Sequence, residues 1–293
     1  MEDLMKQETI TYQIIKAEAK NVRATEDVVV REIPLTIYFN EEEIVTMLCS
    51  PSQIEELTIG FLLTEGFIRE QGDLNELRYE PENNLIWVEG KARPLQKQLM
   101  SKRFLSACCG KSRTSFYFAN DARLAKPQTS TLRITLEEAY HYADFLQSHL
   151  PLFQATGGIH SGGIAANGEI LFTSYDIGRH NVFDKLFGLA FRATVDLRDH
   201  VIFFSGRVSS EILLKVAKMN IPILVARSAP TDLALSLAED LKVTVAGFAR
   251  ANRLNIYTHP ERIILPESEK TPHPETSANS SQKTTMESLR GPI

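Results

Sequence analysis

At 293 residues, 43% hydrophobic and 24% charged, the chain has the balance of a globular protein of one large or two ordinary domains, which excludes wholesale disorder. Its 32 Lys and Arg against 37 Asp and Glu give a formal net charge of −5, which argues against a basic nucleic-acid-binding coat. No apolar run approaches the roughly 20 residues of a bilayer-crossing helix, and residues 1–8 lack the apolar core of a secretory signal, so a soluble intracellular protein with neither nucleic-acid nor membrane partners is expected.

Residues 8–40 read as extended. Val28-Val29-Val30 and Leu35-Thr36-Ile37-Tyr38-Phe39 are rich in β-branched and aromatic side chains, with Pro34 between them. A helix is predicted from Ser50-Pro51, with Ser50 as N-cap, Pro51 at the first helical position and Gln53 closing a capping box. Ile54, Leu57, Phe61 and Leu62 form its apolar stripe towards Glu65. Asn83-Asn84 marks a turn before the strand Leu85-Ile86-Trp87-Val88. Residues 8–100 therefore form an expected small α+β domain. Residues 101–131 read as an exposed loop, polar and Pro-containing towards Lys126-Pro127-Gln128.

A second capped helix starts at Thr135, with Glu138 three residues on and Leu136, Ala139, Tyr140, Ala143 and Leu146 along one face. Asn167-Gly168 is a strong hairpin signal before the return strand 169–174. A helix over 178–191 turns Val182, Phe183, Leu186, Phe187 and Ala190 inward. Strands and helices then alternate: strand 201–204, helix 208–218, strand 223–225, helix 231–241, and strands 243–245 and 254–257. Such alternation predicts parallel strands joined by right-handed crossovers. Residues 266–293, with few large apolar side chains, read as a disordered tail. The expected class is α/β, a mixed sheet with flanking helices over 132–265 following the small N-terminal α+β domain.

Of the three cysteines, Cys49 lies in an apolar setting and reads as a buried small hydrophobe. Cys108 and Cys109 are adjacent. Neighbouring Cα atoms stand about 3.8 Å apart, below the roughly 4.4 Å floor for an ordinary disulfide, so the pair reads as free thiols. Lys102, Arg103, Lys111 and Arg113 flank it, and nearby positive charge raises the thiolate fraction. Gly110 permits close approach of another molecule. Residue types alone leave a reactive thiol and an incidental pair equally open. A second cysteine pair or a His-x-x-x-His partner is missing, which argues against a structural zinc site.

In an open α/β sheet, ligands bind beyond the carboxyl ends of the strands. Three such ends are polar or basic here: Ser205-Gly206-Arg207-Val208-Ser209, Arg227-Ser228-Ala229-Pro230-Thr231 and Gly247-Phe248-Ala249-Arg250-Ala251-Asn252-Arg253. The first two lead into helix N-termini, which favour anions, and Arg207, Arg227, Arg250 and Arg253 are placed to clamp phosphates. Ordinary Ser and Thr capping with solvated arginines is the plainer reading of any one end; the three together favour an anionic ligand. Asp176-Ile177-Gly178-Arg179-His180-Asn181 opens a helix, so His180 reads either as an acid, base or hydrogen-bond donor or as a satisfied core histidine. His160, in a glycine-rich strand start, divides between ligand approach and packing in the same way. The other histidines form no constellation.

Thr156-Gly157-Gly158-Ile159-His160, Asp176-Ile177-Gly178-Arg179-His180-Asn181 with Asp184-Lys185, Ser205-Gly206-Arg207 with Ser209 and Glu211, Ser228-Ala229-Pro230-Thr231, Gly247-Phe248-Ala249-Arg250 and Tyr257-Thr258-His259-Pro260 together resemble the signatures of the FdhD/NarQ family, formate dehydrogenase accessory sulfur carriers. The resemblance spans about residues 30–265 in order. It implies a cytoplasmic sulfurtransferase with a cytidine-deaminase-like core lacking that class's zinc ligands. Such a protein accepts persulfide sulfur from a cysteine desulfurase and passes it to the molybdenum bis(molybdopterin guanine dinucleotide) cofactor, bound as substrate, for formate dehydrogenase as client; a guanine nucleotide would mimic that ligand. The family's cofactor-contact segment matches Phe248, Ala249, Arg250, Ala251, Asn252 and Arg253, with Ser205, Gly206, Arg207, Ser228, His160 and His180 as further implied cofactor-binding residues. Family members often carry C-x-x-C before a glycine. Here Cys109-Gly110 is kept in either alignment while Ser106 stands at the other position in one of them, so Cys109 is the implied persulfide carrier with Cys108 beside it. Two rivals remain: a molybdenum-cofactor-binding chaperone without thiol chemistry, and a nucleotide hydrolase using His160 or His180. By analogy a homodimer sharing the two-nucleotide cofactor is expected.

Overall fold

The computed structural model describes residues 7–19, 21–91, 103–105, 124–148 and 151–266. β1 (Thr9–Glu18) and β2 (Asn21–Val30) form an antiparallel ribbon of their own. β3 (Ile33–Phe39), β4 (Glu42–Cys49), β5 (Leu74–Glu80), β6 (Leu85–Gly90) and β7 (Arg103–Leu105) make a five-stranded sheet in the order β5-β6-β3-β4-β7. Alternation along β3 explains its one-sided burial: Leu35, Ile37 and Phe39 are fully buried, in one apolar cluster with Leu57 and Leu62 of α1 (Ile54–Thr64), while Thr36 and Tyr38 are half-buried. Pro34 lies inside β3 rather than between strands. There β3 pairs with β4 alone, since pairing to β6 begins at Thr36, so the missing N–H costs the ladder little.

The second sheet has six strands in the order β10-β9-β11-β12-β13-β14: β9 (His160–Ala166), β10 (Glu169–Asp176), β11 (Val201–Phe204), β12 (Ile223–Ala226), β13 (Thr244–Arg250) and β14 (Arg253–Thr258). β11, β12 and β13 are parallel, as the alternation of elements predicts; β9, β10 and β14 run antiparallel to their neighbours, so the class is mixed α/β. Every residue of β11 and β12 is buried, because helices cover both faces. Ile202, Phe204, Leu224 and Ala226 face α4 (Arg179–Arg192), α5 (Ser210–Lys218) and α6 (Asp232–Asp240), whereas Val201, Phe203, Ile223 and Val225 face α2 (Leu136–Ser148). A short pair, β8 (Ile134–Thr135) with β15 (Ile263–Ile264), and the one-and-a-half-turn α3 (Pro151–Thr156) complete the described elements.

Local signals hold in two places and fail in three. The Thr135 N–H reaches Glu138 Oε2 at 2.7 Å and the Glu138 N–H reaches Thr135 Oγ1 at 3.1 Å, a reciprocal capping box. Asn167 and Gly168 both take left-handed backbone at the β9–β10 turn. The Ser50-Gln53 capping box does not form. α1 starts at Ile54 without a side-chain cap, because Ser50 gives its N–H and hydroxyl to Asp176 Oδ2 at 3.1 and 3.0 Å while Gln53 accepts from the Ser174 hydroxyl at 2.7 Å. The Ser50 hydroxyl donates to Asp176 and accepts from Lys185, so it is not left to accept from the free N–H groups of α1. On α2, Tyr142 is the fully buried tyrosine and Tyr140 only half so; Tyr142 stacks on Phe203 with ring centroids 5.6 Å apart. Within the segment read as an exposed loop, Gln128 is buried, its N–H donated to Leu241 O at 2.8 Å.

α1 packs along α4 at backbone contact distance. A Cβ built on Gly60 would overlap the Asp184 carbonyl, and one on Gly188 the Glu56 carbonyl. Buried polar groups lock the crossing: Lys215 pairs with Asp184, the Thr64 hydroxyl donates to Asp184 Oδ1 at 2.9 Å, and Lys218 Nζ donates to Thr64 O at 2.7 Å. Gly60→Ala is expected to lose about 3 kcal/mol or more by forcing the two helices apart, read as a lower urea midpoint. Wild-type stability in that variant would show that the helices tolerate separation.

Candidate functional site

Strand direction brings the site residues to one edge of the six-stranded sheet. β9 is antiparallel to β11, with Gly162 opposite Phe204, so the start of β9 at His160 lies beside the end of β11 at Ser205. β14 is antiparallel to β13, so Arg253 lies beside Arg250 at that edge. Asp176 ends β10 opposite His160 and leads through Gly178 into α4, which carries Arg179 and His180.

At the β9–β11 end, the Ser161 N–H donates to Ser205 Oγ at 2.9 Å and the Ser205 N–H to Ser161 O at 2.9 Å. Ser205 thus extends the ladder by one residue. His160 lies against Phe204, ring centroids 6.0 Å apart, and a Cβ on the buried Gly206 would press into the Phe204 ring and stand 3.2 Å from His160 Nδ1. Only glycine fits that position. His180 Nε2 is 3.0 Å from Glu211 Oε2 in the first turn of α5. Burial lowers the pKa of both histidines; Arg179 lowers them further, while Glu211 opposes the shift at His180. Nε of Arg179 is buried without a hydrogen-bond partner among the described residues.

At the β11–β12 end, the loops after the two strands hold each other. The Arg227 N–H donates to Phe204 O at 2.9 Å, the Val208 N–H to Ala229 O at 3.1 Å and the Thr231 N–H to Val208 O at 3.0 Å. Ser209 and Thr231 cap α5 and α6, so both loops do end on helix N-termini. Ser228 contributes its carbonyl, which accepts the Phe248 N–H at 3.3 Å. Arg227 is half-buried, and burial and the neighbouring Arg250 lower its pKa against the pull of Asp144. The two guanidinium charges repel one another there.

The third segment is a hairpin turn rather than a bare strand end. β13 continues to Arg250 and β14 begins at Arg253, with the register slipping between Gly247 and Arg250. Phe248 and Ala251 are non-glycine residues with φ of 53° and 42°, a backbone that costs an L residue about 1–2 kcal/mol. The Phe248 ring is 39% exposed, whereas Ala249 is buried. Arg207, Arg250, Asn252 and Arg253 are exposed.

The structure therefore groups His160, Ser205 and Gly206 with Arg179, His180 and Glu211, and Ser228 with Arg227, Phe248 and Arg250. Cys108 and Cys109, with Lys102, Lys111 and Arg113, lie outside the described residues, as do the tail positions 267–293. Asp144 escaped the sequence reading: it is an exposed position on α2, and only the fold brings it to residue 251. Cys49 is fully buried, as its apolar neighbours imply, and desolvation first, then Asp176, push its thiol up to about 12.

Among the described residues no helix is long and apolar enough to cross a membrane, and no group of three or more His, Cys, Asp or Glu side chains is placed to hold a metal ion. A histidine kept neutral by burial binds fewer protons folded than unfolded. Its stabilising effect is complete above the unfolded value of about 6.5 and is lost as pH falls below it towards the depressed folded pKa. Urea midpoints are therefore expected to drop more between pH 7.5 and 5.5 for the wild type than for His180→Gln; equal drops would refute the assignment.

The FdhD/NarQ family model matches residues 30–264. Among curated relatives, a protein of Halalkalibacterium halodurans named sulfur carrier protein FdhD is 46% identical over 261 residues, covering 88% of this chain and 97% of that one. One of the same name from Geobacillus kaustophilus is 44% identical over 241 residues, covering 82% and 91%. Among solved structures, a protein of Desulfotalea psychrophila described as a formate dehydrogenase accessory protein shares the fold, with a TM-score of 0.74 at 23% identity over 88% of this chain and all of that one. With four-fifths of its length matched in order, and with the sheet edge built from those same matched segments, the chain belongs to the FdhD/NarQ family.

Proposed function

We propose that this chain is a sulfur carrier for formate dehydrogenase maturation, accepting persulfide sulfur at Cys109 and delivering it to a guanine-dinucleotide molybdenum cofactor held at the sheet edge. The name borne by its relatives supports sulfur carriage. The observation that carries the ligand class is the edge itself: mutually repelling guanidiniums at Arg227 and Arg250, two helix N-termini, the orphaned Nε of Arg179 and an exposed Phe248. Guanidiniums and helix N-termini suit phosphates, an unpaired buried donor calls for an acceptor, and an exposed aromatic face suits a base. A cytidine-deaminase-like ancestry of the core and a homodimer sharing the two nucleotides belong to the same reading, as does a cytoplasmic setting.

In the first step the Cys109 thiolate attacks the terminal sulfur of the desulfurase persulfide. A Cys109–sulfur bond forms, the donor S–S bond breaks, and the donor cysteine leaves as thiolate. Chain geometry favours the second meeting. Leu105 ends β7 opposite Met47 of β4, and the four residues on to Cys109 span at most about 14 Å. β4 itself ends at Cys49, next to Ser50, which is bonded to Asp176 opposite His160. β7 thus ends beside the strand that runs to the site.

Intact-mass analysis after incubation with a cysteine desulfurase and cysteine is expected to show a gain of one sulfur that Cys109→Ala abolishes, with loss of formate dehydrogenase activation in the same variant. Activation by a Cys108→Ala, Cys109→Ala double variant would favour the chaperone instead. Arg250→Ala is expected to weaken guanosine diphosphate binding by about tenfold, the worth of one charge-assisted contact; unchanged calorimetric affinity would remove the arginine from the site.

A further inference from the structure

We propose that Asp144 of α2 is a positioning residue for the nucleotide edge: its carboxylate fixes the turn that presents Phe248 and Arg250. The proposal rests on the reading of that edge as a nucleotide site, and its test separates the two.

Asp144 Oδ1 accepts the Ala251 N–H at 3.0 Å, across 107 positions of sequence. That bond falls where the turn most needs one. The β13–β14 ladder is out of register between Gly247 and Arg250, and the turn holds two left-handed non-glycine residues, Phe248 and Ala251. Such a backbone persists only when its surroundings over-determine it. One anchor is the Ser228 carbonyl on the Phe248 N–H at 3.3 Å; the other is Asp144 on the Ala251 N–H. Between them stand the exposed Phe248 ring and Arg250.

The carboxylate has a second effect of opposite sign. Its charge acts on Arg227, as does that of Arg250 with the opposite sign. Before a ligand arrives it offsets the repulsion between the two guanidiniums; afterwards it repels the phosphate that takes its place. The acceptor and the charge can be separated. Asparagine keeps an oxygen for the Ala251 N–H and drops the charge; alanine drops both.

Full-length wild type, Asp144→Asn and Asp144→Ala are compared by calorimetry with guanosine diphosphate and by amide hydrogen exchange of the 247–253 segment. Asp144→Ala is expected to bind the nucleotide about tenfold more weakly and to exchange faster at Ala251. Asp144→Asn is expected to regain the protection and to bind at least as tightly as wild type. On an Ala251→Gly background, where the left-handed backbone is unstrained, the loss caused by Asp144→Ala should shrink. Unchanged exchange in Asp144→Ala, or Asp144→Asn as weak and as fast-exchanging as Asp144→Ala, would overturn the proposal. If the wild type binds no guanosine diphosphate, the nucleotide reading fails, and the exchange pattern alone decides whether Asp144 holds the turn.

Discussion

Asp176 and Lys185 form an ion pair of 2.7 Å in which both side chains are wholly buried. Their remaining bonding capacity is met from three directions. Ser50 donates to Asp176 Oδ2 and accepts from Lys185 Nζ; Asn181 and the Gly178 N–H donate to Asp176 Oδ1 at 2.8 Å; Lys185 Nζ reaches Tyr175 O at 3.1 Å. Asn181 also donates to Leu48 O at 2.9 Å. Desolvating two charges costs several kcal/mol each, and the pair holds because its geometry and hydrogen bonds are complete. The result is less a gain in stability than a fixed arrangement. It ties the end of β4 to the end of β10 and to the first turn of α4, and thereby fixes His160 opposite Asp176 and the orientation of Arg179 and His180.

A second constraint acts alongside it. Backbone contact between α1 and α4 at Gly60 and Gly188 leaves no room for side chains, so the five-stranded sheet cannot slide against the six-stranded one without breaking the bond from the Thr64 hydroxyl to Asp184. Both buried pairs include a residue of α4, and each is tied to the five-stranded unit by one hydroxyl, Ser50 at the first and Thr64 at the second. The candidate site edge is anchored on this frame, while its own elements are loops and one bulged turn. That division is common where a rigid scaffold positions loops.

Much of this was legible from residue patterns. The alternation after residue 200 predicts the parallel strands, and their polar carboxyl ends are where Ser205, Arg227 and Ser228 stand. Asn167-Gly168 and Thr135 with Glu138 act as local signals because their partners lie within three residues. Ser50 and Gln53 misled for the converse reason: the partners that win their hydrogen bonds, Asp176 and Ser174, lie about 120 residues away. Asp144 was invisible for the same cause. Tyr142 was passed over in favour of Tyr140 because two tyrosines two residues apart on a helix look alike until the sheet they face is known. The β1–β2 ribbon, with Ile15 and Val22 on its exposed tip, carries alternation that reads as strand but no signal of what it pairs with.

The buried Cys49 has a chemical consequence. With its thiol pushed up to about 12, hardly any of it is ionised at neutral pH. A sulfhydryl so reluctant to lose its proton is a poor acceptor for sulfane sulfur and a poor target for peroxide. Entombment thus silences this one cysteine electrically, whatever oxidant or sulfur donor the surface meets.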